Sequence, residues 1–202
     1  LDLKCVLSDY GKALTSMDSK NFEMALTYYG GPEPSIAPYD IWRELQQKHC
    51  RFRDLSKLEF EEESFGFRPL REAYLSYLVK TRAVRADASQ IAVFSARELR
   101  FDLICRLLLK SGDIVCLENP GYPGLRSKIV AQGAEIVPVR VDSEGIVVDE
   151  IFALKEIPRL VYISPSHHEP SGAVLSLARR ERLLAWADRH GVFIVEDDYD
   201  SE

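Results

Sequence analysis

The sequence predicts an α/β fold in which a mostly parallel sheet is covered by helices. Short apolar runs at 91–94, 114–117, 160–163 and 192–195 read as strands buried on both faces. Between them lie segments of helical periodicity, long enough for crossovers, and strands joined in that way run parallel with their helices packed against the sheet. The acidic, Gly- and Pro-rich stretches that follow the runs read as strand-end loops, the usual place for ligands in open α/β sheets.

Taken in order, residues 1–28 are mixed and weakly periodic and read as a linker-like entry segment, with one partial domain over 29–202. Tyr29-Gly30-Gly31-Pro32-Glu33-Pro34 is a turn. A short helix is expected over 40–49, with Asp40 as N-cap and Ile41, Trp42 and Leu45 on one face. Gly66-Phe67-Arg68-Pro69-Leu70-Arg71 opens a second helix, in which Leu70, Ala73, Tyr74, Tyr77 and Leu78 recur at helical spacing. After the strand at 91–94 a helix over 97–110 is expected to turn Leu99, Leu103, Ile104, Leu107 and Leu108 inward. The strand at 114–117 leads to a helix at 125–132 that ends at Gly133, a suitable residue after a helix, and 135–141 is extended. A weak segment at 148–156 precedes the strand at 160–163. Ser176 caps a helix that runs to His190 and closes at Gly191, with Leu183, Leu184 and Ala187 inward and Arg179, Arg180 and Arg182 as a solvated face.

Composition narrows the function. With 202 residues, 46% hydrophobic and 29% charged, the chain has the balance of an ordinary globular domain. A net charge of -6 and scattered Lys and Arg argue against nucleic-acid binding by this segment itself. No apolar run is long enough for a membrane helix. Cys5, Cys50, Cys105 and Cys116 form no CxxC pair, and the last two sit in apolar stretches, so a reducing cytoplasm is expected. The start at Leu1, without an initiator Met or a signal-peptide pattern, reads as that of a fragment.

Four loops carry the chemistry: Ser95-Ala96-Arg97 entering a helix; Glu118-Asn119-Pro120-Gly121-Tyr122-Pro123-Gly124; Ser164-Pro165-Ser166-His167-His168-Glu169-Pro170-Ser171-Gly172; and Glu196-Asp197-Asp198-Tyr199-Asp200. Asp197, Asp198 and Asp200 could hold Mg²⁺ for phosphoryl transfer, or form only a solvated loop. His167-His168-Glu169 invites a metal reading, but consecutive residues of an extended loop point alternately and do not converge.

In order and spacing these loops resemble the fold-type-I pyridoxal-phosphate proteins of aminotransferase class I/II, above all the aminotransferase-like effector domain of the MocR subfamily of GntR regulators. The motifs that carry the resemblance are Gly66-x-x-Pro-Leu-Arg, Pro120-Gly-Tyr-Pro-Gly, Ser164-Pro-Ser-His and the terminal Glu-Asp-Asp-Tyr-Asp-Ser-Glu. The resemblance implies the N-terminal part of a three-layer α/β/α large domain, pyridoxal 5′-phosphate as cofactor, and a homodimer. As partner it implies an amino acid with a 2-oxo acid, or an amine that is sensed. In such a site Asp197 would hold the proton on the pyridine nitrogen, Tyr199 would donate to the phenolic oxygen, and Tyr122 would stack on the ring. Ser95, Ala96 and Arg97 would cradle the phosphate at a helix N-terminus.

The chain departs from the family pattern in several places. Ala96 and Arg97 stand where Gly and Ala are usual, and losing Gly restricts the loop's approach to the phosphate. Glu169 replaces the Asn before Pro-Thr-Gly, and Glu61-Glu62-Glu63-Ser64 replaces Tyr-Gly-Asp-Pro. The family's Schiff-base lysine falls beyond Glu202, no lysine here matches it, and the chain reads as truncated before it. The expected function is therefore that of part of an amino-group-transferring protein, with a ligand-sensing regulator or an inactive relative as the alternatives.

Overall fold

The computed structural model describes residues 38–49 and 64–199. The expected boundary at residue 28 lies outside them. The chain divides into two compact units, one including 30–97 and the other 98–202.

In the first unit, helix α1 spans Tyr39–His49. It starts one residue before the expected cap, so Asp40 sits in the first turn, where its carboxylate faces the positive end of the helix dipole. Ile41, Trp42 and Leu45 are exposed. Helix α2, Arg68–Arg82, opens on Pro69 and stops at Ala83, whose φ of 52° is left-handed. Its inner side holds a charge as well as carbon: Arg71 is buried and donates through Nε to Gly66 O at 2.9 Å and through Nη1 to Ala88 O at 2.6 Å. The strand expected at 91–94 does not form. Val93 N donates to Phe65 O at 2.9 Å, and without a ladder of such bonds an apolar run remains a loop.

The second unit is a five-stranded sheet between helices. The strands are β1 Ile114–Asn119, β2 Glu135–Asp142, β3 Gly145–Ile146, β4 Leu160–Ile163 and β5 Phe193–Glu196. Their order is β3-β2-β1-β4-β5. The pairs β1·β2, β1·β4 and β4·β5 are parallel and only β3 runs antiparallel, at the edge. This is the expected mostly parallel sheet. Helix α3, Arg97–Leu108, and helix α4, Arg126–Ala131, cover one face; helix α5, Val148–Phe152, and helix α6, Leu177–His190, cover the other.

Strand alternation divides the core. Val115, Leu117, Leu160 and Tyr162 meet Phe101, Cys105 and Ile129 on one face, while Cys116, Val161 and Ile163 meet Ile151, Leu183 and Ala187 on the other. The inward stripe of α3 is thus Phe101, Ile104, Cys105 and Leu108, continued by Leu109 just past its end. Leu99, Leu103 and Leu107, expected inside, are exposed. Two apolar stripes compete on this helix, and the aromatic Phe101 wins because it fits between Tyr122 and Tyr162, at 5.6 and 5.8 Å between ring centroids.

Helix α6 begins as expected at Ser176, whose hydroxyl accepts from Arg179 N, and ends at Gly191 with φ 65°. Arg179 and Arg180 are staples instead of part of a solvated face, while Arg182 is exposed as expected. Arg179 grips both carboxylate oxygens of Asp142, at 2.7 and 2.8 Å, and donates to Gly145 O at 2.9 Å. Arg182 pairs with Asp149. Arg180 donates to Pro165 O at 2.6 Å and to Leu175 O at 2.9 Å, which fixes the loop after β4. A planar five-donor fork suits such multiple contacts.

Leu184 is exposed, whereas Leu183 is 1% exposed. Leu183→Ala should therefore cost about 2–5 kcal/mol and lower Tm, with Leu184→Ala within about 0.5 kcal/mol of the parent. Denaturant and thermal melts of the two variants check this, and equal losses would contradict the packing described.

Candidate functional site

The carboxyl ends of β1, β4 and β5 lie side by side and gather the polar groups of this unit. Asp197 N donates to Ile163 O at 2.9 Å, continuing the β4·β5 pairing one step past β5. This carries the Asp197 side chain into the interior, where it is 9% exposed. Tyr162, itself buried on β4, donates its hydroxyl to Asp197 Oδ2 at 2.6 Å. Asp198, one residue on, is exposed, as alternation requires. Tyr199 stands at the rim, 44% exposed, with its ring 6.1 Å from that of His167 and 24° from parallel. Asp200 lies outside the described residues.

Glu118, at the end of β1, is a second buried acid, 4% exposed. Its Oε2 accepts from Ser164 N at 3.0 Å. Burial pushes its carboxyl up to about 7; the Ser164 hydrogen bonds oppose that rise and the charge of Asp197 adds to it. His168 is 1% exposed. Its Nε2 lies 3.0 Å from Pro120 O and its Nδ1 2.7 Å from Ser171 Oγ. A carbonyl only accepts, so Nε2 carries the proton and Nδ1 accepts from the serine hydroxyl. Burial lowers the His168 pKa, against the pull of the Pro120 carbonyl. His168 Nε2 and Glu118 Oε2 are 3.7 Å apart, yet burial disfavours the charged form of both. Burial therefore weakens any charge–charge attraction across this contact.

The Pro120-Gly-Tyr-Pro-Gly loop turns Tyr122 inward, 9% exposed. Its ring lies against Phe101, tilted by 41°, and its hydroxyl donates to Glu98 Oε1 at 2.6 Å. Glu98 also holds the buried Lys128. Gly124 is required here, because a Cβ would come within 2.3 Å of the Tyr122 hydroxyl oxygen. Ser95 and Ala96 are exposed and Arg97 half-buried where the chain enters α3; these three belong to the unit that precedes the sheet. Glu169 is half-buried, and Glu61 lies outside the described residues. No cluster of potential metal ligands occurs among the described residues, and none of their helices is long and apolar enough to cross a membrane.

Residues 35–199 match the family model of aminotransferase class I and II. The chain belongs to this family. Among its curated relatives is the probable rhizopine catabolism regulatory protein MocR of Rhizobium meliloti, 32% identical over 86% of this chain and 34% of the regulator. The 2-aminoadipate transaminase of Thermus thermophilus is 28% identical over 86% of this chain and 43% of the enzyme. Kynurenine aminotransferase of Pyrococcus horikoshii, solved in complex with PMP, superposes with a TM-score of 0.80 at 25% identity, over 98% of this chain and 52% of that one. The chain therefore spans about half the length of these relatives, or less. The family and the solved complexes indicate pyridoxal phosphate as the cofactor of this aminotransferase fold.

The residues of this aminotransferase-family chain fit that group at its ring end. A buried carboxylate is costly unless cations or donors meet it, and Asp197 at a strand end, already steadied by the Tyr162 hydroxyl, suits a protonated ring nitrogen. Sequence reasoning singled out Asp197 and Tyr122 but missed Tyr162, Glu118 and His168. The alternation of β4 put Tyr162 on the same face as Leu160, so it read as core. Glu118 was visible as an acid that closes an apolar strand, a signal that could have marked it.

Glu118 generates a pH prediction. Its folded pKa is raised from 4.5 to about 7, so its contribution to stability is fully present below 4.5 and is lost as pH rises through about 7. Glu118→Gln keeps an acceptor for Ser164 N and removes the titration. Between pH 5 and 8, roughly, the Tm of the parent should fall relative to that of the variant. Parallel Tm profiles would show that Glu118 is not the titrating group.

Proposed function

We propose that this chain supplies the pyridine-holding part of a pyridoxal-phosphate site in a protein that moves an amino group between an amino acid and a 2-oxo acid. The observation that carries the reading is the buried Asp197 carboxylate, held by Tyr162 at the carboxyl end of β5. Bound pyridoxal phosphate supplies an electron sink to the carbon that bears the amine. In this reading Asp197 keeps the proton on the ring nitrogen, and Tyr162 fixes the oxygen next to it. Tyr199 donates to the phenolic oxygen from the rim, and Tyr122 packs against the ring. Ser95, Ala96 and Arg97 are assigned to the phosphate on their motif and on their place at the start of α3.

The domain division that accompanies this reading has an entry segment at 1–28 and the cofactor domain over 29–202, assembled as a homodimer. A cytoplasmic setting is supported by Cys105 and Cys116. Both are buried free thiols, with burial pushing their pKa values up to about 11 and about 12.

A second reading, a sensor domain that binds the cofactor and an amine and passes the signal to a DNA-binding domain, is favoured by the relatives. MocR and the transcriptional regulator TauR of Rhodobacter capsulatus are each 32% identical to the chain, against 28% for the transaminase.

Site-directed variants of the full protein test the assignment. Asp197→Ala should lower amine transfer about a hundredfold or more and leave cofactor affinity within about tenfold, since the phosphate contacts remain. Asp198→Ala should cost far less. Equal losses, or rescue of either variant by magnesium, would overturn the assignment of Asp197. A wild-type protein that binds pyridoxal phosphate without transferring amines, and whose DNA binding responds to an amine, would establish the sensor reading instead.

A further inference from the structure

Lys128 is a buried cation that the cofactor reading leaves unused. It sits on α4 with its side chain 7% exposed, and its Nζ donates to Glu98 Oε2 and, at 3.0 Å, to Gly124 O. A buried ammonium is retained only where partners offset its lost hydration. The partners here do more than neutralise it. The other Glu98 oxygen accepts the Tyr122 hydroxyl at 2.6 Å, and the same Gly124 that accepts from Lys128 leaves the space in which that hydroxyl lies. Tyr122 is thus held on its ring by Phe101 and at its tip by a carboxylate that Lys128 keeps in place. Glu98 is 51% exposed on its side chain, so the Lys128 ammonium is a contact that draws its carboxylate inward, toward the phenol.

We propose that Lys128 and Glu98 are positioning residues for Tyr122: the ion pair fixes the tilt of the Tyr122 ring and thereby sets how tightly a pyridine ring is held. The proposal rests on the cofactor reading in that Tyr122 is taken to face the cofactor. The orientation it describes is nevertheless a property of the protein alone. The conservative change Glu98→Gln keeps an amide oxygen for the phenol and no longer needs the cation.

The test is a double-mutant cycle in the full protein, read by fluorescence titration with 4′-deoxypyridoxine 5′-phosphate, an analogue without the aldehyde and so independent of any Schiff-base lysine. Lys128→Met should weaken binding roughly tenfold, the worth of one charge-assisted hydrogen bond. In a Tyr122→Phe background the same change should cost less than about twofold. Adding Glu98→Gln to Lys128→Met should restore most of the affinity. A merely structural lysine would lower Tm and affinity alike in both backgrounds, and that result, or no loss in either, would overturn the proposal. Absence of binding by the parent would refute the cofactor reading. The NMR shifts of the Tyr122 ring would still decide the positioning claim: unchanged shifts in Lys128→Met would overturn it, and a shift reversed by Glu98→Gln would support it.

Discussion

Two buried acids, at strand ends on either side of β4, set the terms for everything around them. Glu118 is the last residue but one of β1 and Asp197 follows β5, and between them β4 and the residue after it supply a donor to each: Ser164 N to Glu118 and the Tyr162 hydroxyl to Asp197. Acids are seldom buried without such partners. β4 can reach both because parallel pairing places it in the middle, with Leu117 opposite Tyr162 on one side and Ile163 opposite Glu196 on the other. A register shift of one residue would turn Tyr162 to the other face and strand Asp197 without its donor.

The rest of the second unit keeps that register. Core on both faces fixes β1 and β4, the Arg180 contacts hold the loop that leaves β4, and the Arg179 clamp ties α6 to the end of β2 and the start of β3. His168 ties two of these loops together: its two ring nitrogens bind the loop after β1 to the turn at Ser171. Burial favours the neutral imidazole and the protonated Glu118 together, so the strand-end cluster need not carry two adjoining negative charges. That suits the proposed site, in which one carboxylate, Asp197, stays available to a cation.

Much of this was legible in the sequence, and the parts that were not have physical reasons. Apolar runs separated by helical segments are enough to give a parallel sheet, because few other arrangements bury strands on both faces. The run at 91–94 looks the same locally, yet a strand needs a neighbour, and among the described residues the bond from Val93 to Phe65 is not continued into a ladder. On α3 the leucines at 99, 103 and 107 form as good a stripe as Phe101, Cys105 and Leu109; only the aromatic partners contributed by distant strands choose between them. Arg179 and Arg180 of α6 read as solvated because arginine usually is, and Asp142, Gly145 and Pro165, which they grip, are distant in sequence. At the site, the strand-end position marked the acidic cluster, and the family resemblance picked Asp197 out of it. The role of Glu118, the tautomer of His168 and the Lys128–Glu98–Tyr122 chain depend on contacts between segments that only the fold brings together.

Membership in the aminotransferase class I and II family fixes the architecture and leaves two uses for it, since the relatives include transaminases and transcriptional regulators. In the proposed reading both uses place a protonated pyridine nitrogen beside Asp197. The ¹⁵N chemical shift of the ring nitrogen of labelled pyridoxal phosphate, bound to the full protein, reads that state directly. The account predicts a pyridinium shift at neutral pH that moves to the free-base value in Asp197→Ala. A free-base shift in the unmodified protein, or a pyridinium shift that survives the loss of Asp197, would contradict it.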